Sequence, residues 1–211
     1  EFRRVLFRSN PGAGYTSTPN VSITGGSGSG ATASAVLTNQ PNIDIASFQG
    51  RVWIAQGRTV FSSAAGSYND FVTVSAGNLP LTDDTLHTNI TGLMSANNFL
   101  YVFGDDSINV FSDVRVGTTG LTQFTNTNVS ASVGSKRINA IFPYFRSLLF
   151  MNDYGVYALV GATTTKLSDS LDGIFPLIDF TQPVTAGEVL INNILCAAFS
   201  FTYKDPVQGD R

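Results

Sequence analysis

The sequence repeats an apolar pattern at a fixed interval of 48 residues, and no other feature constrains the fold more. The segments that align without gaps are VWIAQGRTV (52–60), LYVFGDDSINV (100–110) and LLFMNDYGVYA (148–158). A period of 20–50 residues is typical of solenoids, propellers and other arrays of one structural unit. The aligned positions that we predict to form the repeated core are Ile45, Leu93 and Ile141; Trp53, Tyr101 and Leu149; Ile54, Val102 and Phe150; and Val60, Ile108 and Val156.

Each unit has the pattern of a β-hairpin. In the second copy, we predict a strand over Phe99–Phe103, a turn over 104–107 and a returning strand over Ile108–Phe111. The corresponding turns are 56–58 in the first copy and 152–155 in the third. These turns contain Asn, Asp and Gly, which accept the positive φ angles of tight hairpins.

The inner strands WIA, LYVF and LLFM show no alternation of polar and apolar residues. We therefore expect each sheet to be covered on both faces, as a blade of a β-propeller is covered by its neighbours. A β-sandwich would show polar residues at alternate positions on its outer faces. The pattern favours an all-β fold, a partial β-propeller of three to four antiparallel blades. A stacked β array and a sandwich remain alternatives.

The repeat also predicts the domain organisation of residues 41–211. A fourth copy begins at Ile194–Ala198, with Ala197 and Ala198 in the matched positions, and the alignment is lost over 203–210. The predicted units are 42–88, 89–136, 137–184 and an incomplete 185–211.

Residues 10–40 differ in composition from the rest of the chain, because they are rich in Gly, Ser and Thr. We predict a small β-hairpin module or linker, with strands at 20–24 and 31–37 around the flexible GGSGSG. The glycines do not form the GxxxxGK[ST] phosphate loop, so nucleotide binding is not predicted.

Composition excludes several functional classes. The net charge is −3, which disfavours binding to nucleic acid phosphates. His87 is the sole histidine, so the usual zinc sites and most catalytic triads lack their residues. Cys196 is the sole cysteine, lies in the apolar ILCAAF, and is expected to be a small buried hydrophobic residue. No apolar run has the ~20 residues of a membrane-spanning helix.

The acidic residues nominate no reactive site. Asp105 and Asp106 fall in a predicted turn and Asp83-Asp84 in a polar loop, where solvated carboxylates are expected. The segment 168–173, SDSLDG, lacks the further acidic ligands and the closing Glu of a calcium loop. No catalytic, cofactor-binding or metal-binding residue is predicted, no cofactor is expected, and the chain is not expected to be an enzyme.

Aromatic residues make up 11% of the chain, and four fall between the predicted strands. Exposed aromatics stack on sugars, whereas buried ones fill the space between sheets. We predict the packing role for Tyr68, Phe71, Tyr144 and Phe145.

The first nine residues, EFRRVLFRS, contain Arg3, Arg4 and Arg8 in a chain with few charges. They resemble the translation of a short-read sequencing adapter, and we therefore exclude them from the fold prediction. On this interpretation the chain is a metagenomic fragment, with both ends set by the read. The alternative is a genuine basic arm.

Four segments in order resemble the tail-nozzle and tail-hub proteins of tailed phages. They are FQGRVWIAQGRTVFSSAAGSYNDF (48–71), LYVFGDDSINVFSD (100–113), NVSASVGSKRINAIFPYFRSLLFMNDYGVYAL (128–159) and KLSDSLDGIFPLI (166–178). Together the resemblance spans about residues 43–205.

That resemblance implies a β-propeller in the virion, in a homo-oligomeric ring that contacts other tail and portal proteins. The ring would surround the channel through which DNA passes during host entry without being bound specifically. The protein would be located in the phage tail, and in the host cytoplasm during assembly. Two other functions stay open: a carbohydrate- or surface-binding propeller of a phage fibre or bacterial envelope protein, and a propeller glycan hydrolase or lyase.

Overall fold

The computed structural model describes residues 42–81, 86–205 and 209–210. Residue contacts divide the chain at Gln40/Pro41, and the described residues all belong to the second unit. The predictions for residues 1–9, for the module 10–40 and for Asp83-Asp84 lie outside the described residues.

The described residues form an all-β structure of antiparallel sheets, with short 3₁₀ turns in place of α-helices. Three sheets have four strands each, in strict chain order, and none of them closes on itself. Sheet 1 contains β1 (Asn42–Phe48), β2 (Arg51–Gln56), β3 (Thr59–Ser62) and β4 (Gly77–Pro80). Sheet 2 contains β5 (Ile90–Ala96), β6 (Phe99–Gly104), β7 (Ile108–Val116) and β8 (Thr122–Ser130). Sheet 3 contains β9 (Ile141–Tyr144), β10 (Ser147–Asn152), β11 (Gly155–Val160) and β12 (Thr163–Lys166).

Two further strand pairs follow. The C-terminal hairpin pairs β13 (Thr185–Ile191) with β14 (Ile194–Ser200), and a short pair joins β15 (Lys204–Asp205) to β16 (Gly209–Asp210). The 3₁₀ turns cover Ile138–Ala140, Asp169–Leu171 and Phe175–Leu177.

Strand pairing is the same in the three four-stranded sheets. Trp53 of β2 pairs with Ala46, Tyr101 of β6 with Met94, and Leu149 of β10 with Phe142. Trp53, Tyr101 and Leu149 therefore occupy equivalent places on consecutive sheets. The first strands also lie side by side, because β1 contacts β5, β5 contacts β9 and β9 contacts β13.

Tight turns join the first two strands of each sheet. Gln49-Gly50, Asn97-Asn98 and Asn192-Asn193 all have positive φ at both positions, as type I′ hairpin turns require. The third sheet has Phe145 at the corresponding position with a φ of 52°, which is rare for a bulky residue.

The interval between the turns of the third and fourth units is one residue shorter than the sequence alignment predicts. Its turn at Asn192-Asn193 follows the turn at Phe145 by 47 residues, whereas the earlier turns are 48 apart. Counting from the turn, Cys196 occupies the place of Trp53, so the assignment of Ala197 and Ala198 to the matched positions is wrong. Both turns contain two residues, so the missing residue lies between them, where a gapless alignment cannot detect it.

The prediction that the inner strands are covered on both faces holds for β6 and β10, where every residue after the first is buried. It is wrong for β2, whose residues alternate between buried and half-buried. One face of sheet 1 packs on sheet 2, and no described element covers the other.

Three apolar clusters lie between the successive layers. The first joins sheets 1 and 2 through Trp53, Leu93 and Val102. The second joins sheets 2 and 3 through Tyr101, Ile141 and Phe150, with further residues around them. The third lies beyond sheet 3 and includes Met151 and Phe175. Burial of these side chains, at roughly 1.5–3 kcal/mol each, is the main force that holds the layers together.

Candidate functional site

The twelve predicted repeat-core residues lie mostly in these clusters. Nine of them are buried: Trp53, Val60, Leu93, Tyr101, Val102, Ile108, Ile141, Leu149 and Phe150. Ile54 and Val156 are half-buried. Ile45 is 64% exposed, so its assignment to the core is wrong. Ile45 lies on the uncovered face of sheet 1, whereas its equivalents Leu93 and Ile141 are covered by the preceding sheet.

A polar pocket of about 300 Å³ lies where the turns of sheets 2 and 3 meet. Asp105 and Asp106 come from the β6–β7 turn, and Asp153 and Tyr154 come from the β10–β11 turn. Lys136 reaches the same pocket from the connection between β8 and β9. The sequence places these residues up to 49 positions apart, and the stacking of the two sheets brings them together.

The carboxyl groups of the pocket contact basic side chains. Lys136 Nζ lies 3.2 Å from Asp105 Oδ2, and His87 Nδ1 lies 3.4 Å from Asp106 Oδ2. Arg137 donates a 2.9 Å hydrogen bond to Asp153 Oδ1. Asp105 and Asp106 remain partly exposed, as predicted for turn carboxylates, but the Lys136 ion pair and the His87 contact come from outside the turn.

Two polar groups at the β6–β7 turn remain without partners in the described structure. They are Asp106 Oδ1 and Ser107 Oγ, both buried. Tyr154 projects into the solvent at the rim of the pocket, with 74% of its surface exposed. An exposed aromatic ring beside carboxylates is the combination that stacks on a sugar ring and hydrogen-bonds its hydroxyl groups.

Backbone packing forms the floor of this pocket. Asn152 Nδ2 donates to the Gly134 carbonyl at 3.0 Å, and Ser135 Oγ donates to the Met151 carbonyl at 2.7 Å. A Cβ added to Gly134 would lie 2.5 Å from the backbone nitrogen of Ser107. The connection and the β6–β7 turn therefore touch so closely that only glycine fits.

The segment 168–173, considered above as a calcium loop, is paired with a lysine that lies two residues before it. Lys166 Nζ lies 2.5 Å from Asp172 Oδ1 and 3.8 Å from Asp169 Oδ1. The hydrogen bond to Asp172 raises the pKa of Lys166 above its ordinary value. In the ranges 42–81, 86–205 and 209–210, no three His, Cys, Asp or Glu side chains are grouped so that they could hold a metal ion.

Two of the four inter-strand aromatics depart from the predicted packing role. The Tyr144 hydroxyl donates a 2.8 Å hydrogen bond to the Leu195 carbonyl, which ties sheet 3 to the C-terminal hairpin. Phe71 is half-buried. Tyr68 and Phe145 are mostly exposed, so the packing role is wrong for these two. Both lie in turns or connections, where no neighbouring sheet covers the side chain.

Cys196 is half-exposed on the C-terminal hairpin, and the prediction of a buried residue is wrong. The apolar neighbours of Cys196 belong to the hairpin, and no described layer packs on that side. Within the part of the chain that the structure describes, no helix has the length and apolar character that a membrane crossing requires.

Sequence analysis missed two sets of polar contacts. Arg51 is buried, and its guanidinium donates to the carbonyls of Ser63 and Ser75 at 2.7 and 2.6 Å. Burial lowers the pKa of Arg51. Arg51 thereby fastens the long β3–β4 connection to sheet 1. An arginine at the start of an apolar strand is the only trace of this contact in the sequence.

The second missed set joins the turns of neighbouring sheets. The Gln49 side-chain amide donates to Asn98 Oδ1, and the Asn97 amide donates to the Arg146 carbonyl at 2.8 Å. Each bond links residue i to residue i+49. In the sequence, these hydrogen bonds are indicated by the 48-residue spacing of Gln49 and Asn97, whose amide side chains are long enough to reach the next turn.

Comparison with protein-family models finds no match for this chain, and comparison with curated proteins finds no significant relative.

Proposed function

We propose that this chain is a structural component of a tailed-phage virion, part of the tail nozzle, hub or neck ring around the DNA exit channel. One observation carries the proposal: three antiparallel sheets of identical strand order stack face to face, over the segments that resemble tail-nozzle and tail-hub proteins. Such a stack is suited to a rigid structural role rather than to catalysis.

The stack supports a partial β-propeller with a 48-residue repeat. In a propeller, each blade packs between two neighbours and the first strand of each blade lines the central axis. Here β1, β5, β9 and β13 lie in sequence beside one another, while the sheets extend outward from them. We infer that these four strands face the axis, with the C-terminal hairpin as the beginning of a fourth blade.

A mechanical role agrees with the electrostatics. A net charge of −3 repels the phosphates of passing DNA, so that DNA slides through a channel without being retained. The pocket carboxylates Asp105 and Asp153 have cationic partners, Lys136 and Arg137. A glycosidase instead needs one carboxylate as general acid and a second free to act as base or nucleophile. We therefore propose a non-enzymatic protein without a cofactor.

The proposed partners are further copies in a ring and the portal and tail proteins next to it. The proposed location is the virion tail, with assembly in the host cytoplasm. Genomic context tests this directly. Sequencing outward from the gene is expected to find portal, terminase and capsid genes beside it, and a long stretch of flanking DNA without them would contradict the proposal.

A physical test uses the same partners. The full 211-residue chain, carrying an affinity tag, is expected to retain the portal protein encoded beside it when the two are co-expressed. A matched preparation with the major capsid protein serves as the control. Equal retention of portal and capsid protein, or of neither, would contradict a position in the neck or tail.

The pocket beside Tyr154 favours carbohydrate binding as a second candidate function. Its exposed ring offers a stacking surface beside the carboxyl groups of Asp106 and Asp153, which line the same pocket. A glycan array with the full chain is the test, and specific binding at micromolar strength would support this function. Tyr154→Ala should then abolish binding, whereas Tyr68→Ala, which removes an equally exposed ring outside the pocket, should leave it unchanged.

A further inference from the structure

Every sheet has two faces with different neighbours. We call the face of sheet 1 that contains Ile43, Ile45 and Ile54 its leading face, and the face that contains Ala46 and Trp53 its trailing face. The strand pairings Ile45–Ile54 and Ala46–Trp53 define the two sides. The equivalent residues define the leading and trailing faces of the later layers.

The same contact occurs three times in the chain. The trailing face of sheet 1 packs on the leading face of sheet 2, where Trp53 and Leu93 share one cluster. The trailing face of sheet 2 packs on the leading face of sheet 3, where Tyr101 and Ile141 share the next cluster. The trailing face of sheet 3 packs on the C-terminal hairpin, where the ring of Phe142 lies 5.7 Å from that of Phe199.

Two faces of this series are uncovered by any described element. The leading face of sheet 1 presents Ile43 and Ile45, beside a shallow groove of about 300 Å³ that Ile54 also lines. The trailing face of the hairpin presents Val189, Ile191 and Ile194, which is 65% exposed. Contiguous apolar surfaces of this kind mark interaction sites.

The two uncovered faces are complementary, because the chain itself shows how they pair. A leading face is covered by a trailing face at each internal contact. On the hairpin, Cys196 is the equivalent of Trp53 and Tyr101. On sheet 1, Ile45 is the equivalent of Leu93 and Ile141, which lie opposite Trp53 and Tyr101. Apolar side chains dominate both surfaces, and Asp44, which also lines the groove, already accepts hydrogen bonds from the Leu93 and Ile45 amides.

We propose that the leading face of sheet 1 in one copy of this chain binds the trailing face of the C-terminal hairpin in a second copy. The contact continues the internal stacking across the boundary between two chains. It is head-to-tail, so that association generates a ring or an open chain rather than a closed symmetric dimer. The proposal depends on the stacking of the sheets and not on the proposed viral role.

Charge substitution on either face tests the proposal with the full chain. The unmodified protein is expected to show concentration-dependent mass in sedimentation velocity. Ile45→Asp and Ile194→Asp should each weaken association at least about tenfold, since each places a carboxylate in an apolar contact. Val72→Asp, in the β3–β4 connection away from both faces, is the matched control and should associate like the unmodified chain.

Mixing the two variants distinguishes a head-to-tail contact from a symmetric one. Ile45→Asp retains its hairpin face, and Ile194→Asp retains the leading face of sheet 1. An equimolar mixture should therefore form a dimer that neither variant forms alone. An unmodified chain that stays monomeric, an Ile45→Asp variant that still associates, or a mixture that stays monomeric would overturn the proposal. Far-UV circular dichroism verifies that both variants remain folded.

Crosslinking locates the contact. Ile45→Cys places a thiol opposite the native Cys196 of a second copy, so a short bis-maleimide should join the chains covalently. The double variant Ile45→Cys with Cys196→Ser should not be joined through this pair, and Val72→Cys should react far less. Equal crosslinking of the Val72→Cys and Ile45→Cys variants, or none with Ile45→Cys, would overturn the proposal.

Discussion

The interior of the stack and its two ends have similar sequences but different environments. Leu93 and Ile141 in the interior are almost fully buried, whereas the equivalent Ile45 at one end is mostly exposed. At the other end, Ile194 is exposed although its strand is as apolar as β6 and β10. An apolar pattern predicts which side chains can be buried, and the position of their sheet in the stack decides which of them are buried.

The difference also extends to the connections. In sheet 2, β7 and β8 are joined by a tight connection, 117–121, whereas sheet 1 uses the longer 63–76 between β3 and β4. That longer connection is fastened by polar contacts, from Arg51 at one point and from Asp70 at another. Apolar burial thus stabilises the interior, and individual hydrogen bonds order the end.

Alanine substitution at three equivalent positions gives the strongest test of this comparison. Leu93→Ala and Ile141→Ala should each lower the free energy of unfolding by about 2–5 kcal/mol, because each leaves a cavity between two sheets. Ile45→Ala should change it by less than about 0.5 kcal/mol, because the side chain is already in solvent. Urea unfolding of the three variants, at concentrations where all are monomeric, measures these differences. Equal losses at all three positions would show that Ile45 is buried too.

Substitution of two glycines by alanine compares backbone packing in the interior of the stack with backbone packing at its end. Gly134→Ala should lower the free energy of unfolding by about 3 kcal/mol, because the new Cβ meets the backbone of the β6–β7 turn. Gly187→Ala, in the C-terminal hairpin, should be neutral within about 0.5 kcal/mol, since its Cβ has open space around it. Thermal and urea unfolding measure both effects. A neutral Gly134→Ala variant would mean that the connection and the turn do not touch.

Much of the fold is predictable from the sequence, because local sequence patterns indicate the strands and hairpin turns. The predicted turns 56–58, 104–107 and 152–155 include the turns that the structure shows at 57–58, 105–107 and 153–154. The exposure of Ile45 is not predictable in this way, since it depends on a neighbour rather than on Ile45 itself. The shortened interval before the fourth unit was hidden for a different reason: one missing residue between the turns at 145 and 192 leaves the apolar pattern almost unchanged.

The polar pocket was less predictable than the fold. Its charged residues come from two turns and one connection, and each carboxylate has a typical turn sequence around it. Only the stacking of sheet 2 on sheet 3 places Lys136 beside Asp105. Arg51 was missed for a related reason, because its partners are backbone carbonyls, which leave no mark in a sequence.

Removal of the Arg51 contacts tests whether hydrogen bonds order the end of the stack. Arg51→Met should lower the free energy of unfolding by about 1–3 kcal/mol, because the carbonyls of Ser63 and Ser75 lose a charged donor. Amide exchange should become faster over 63–76 before it changes in sheets 2 and 3. Arg115→Met is the matched control and should have almost no effect, since Arg115 and its partner Asp113 are mostly solvated. Unchanged exchange over 63–76 would contradict the fastening role of Arg51.

The smallest expected effect is a pH dependence that arises in the same connection. The Thr73 hydroxyl and the amides of Thr73 and Val72 donate hydrogen bonds to Asp70, and together they lower the pKa of its carboxyl below the ordinary 3.8. Because the folded pKa is the lower one, the stabilisation is fully present above the unfolded pKa and disappears as the pH falls through the folded pKa. Asp70→Asn should therefore have a lower melting temperature than the unmodified chain at pH 7, and the difference should shrink as the pH falls below the ordinary 3.8. Thr73→Ala, which removes the strongest donor, should reduce the same pH dependence, and a difference that stays constant down to pH 2 would exclude the carboxylate as its cause.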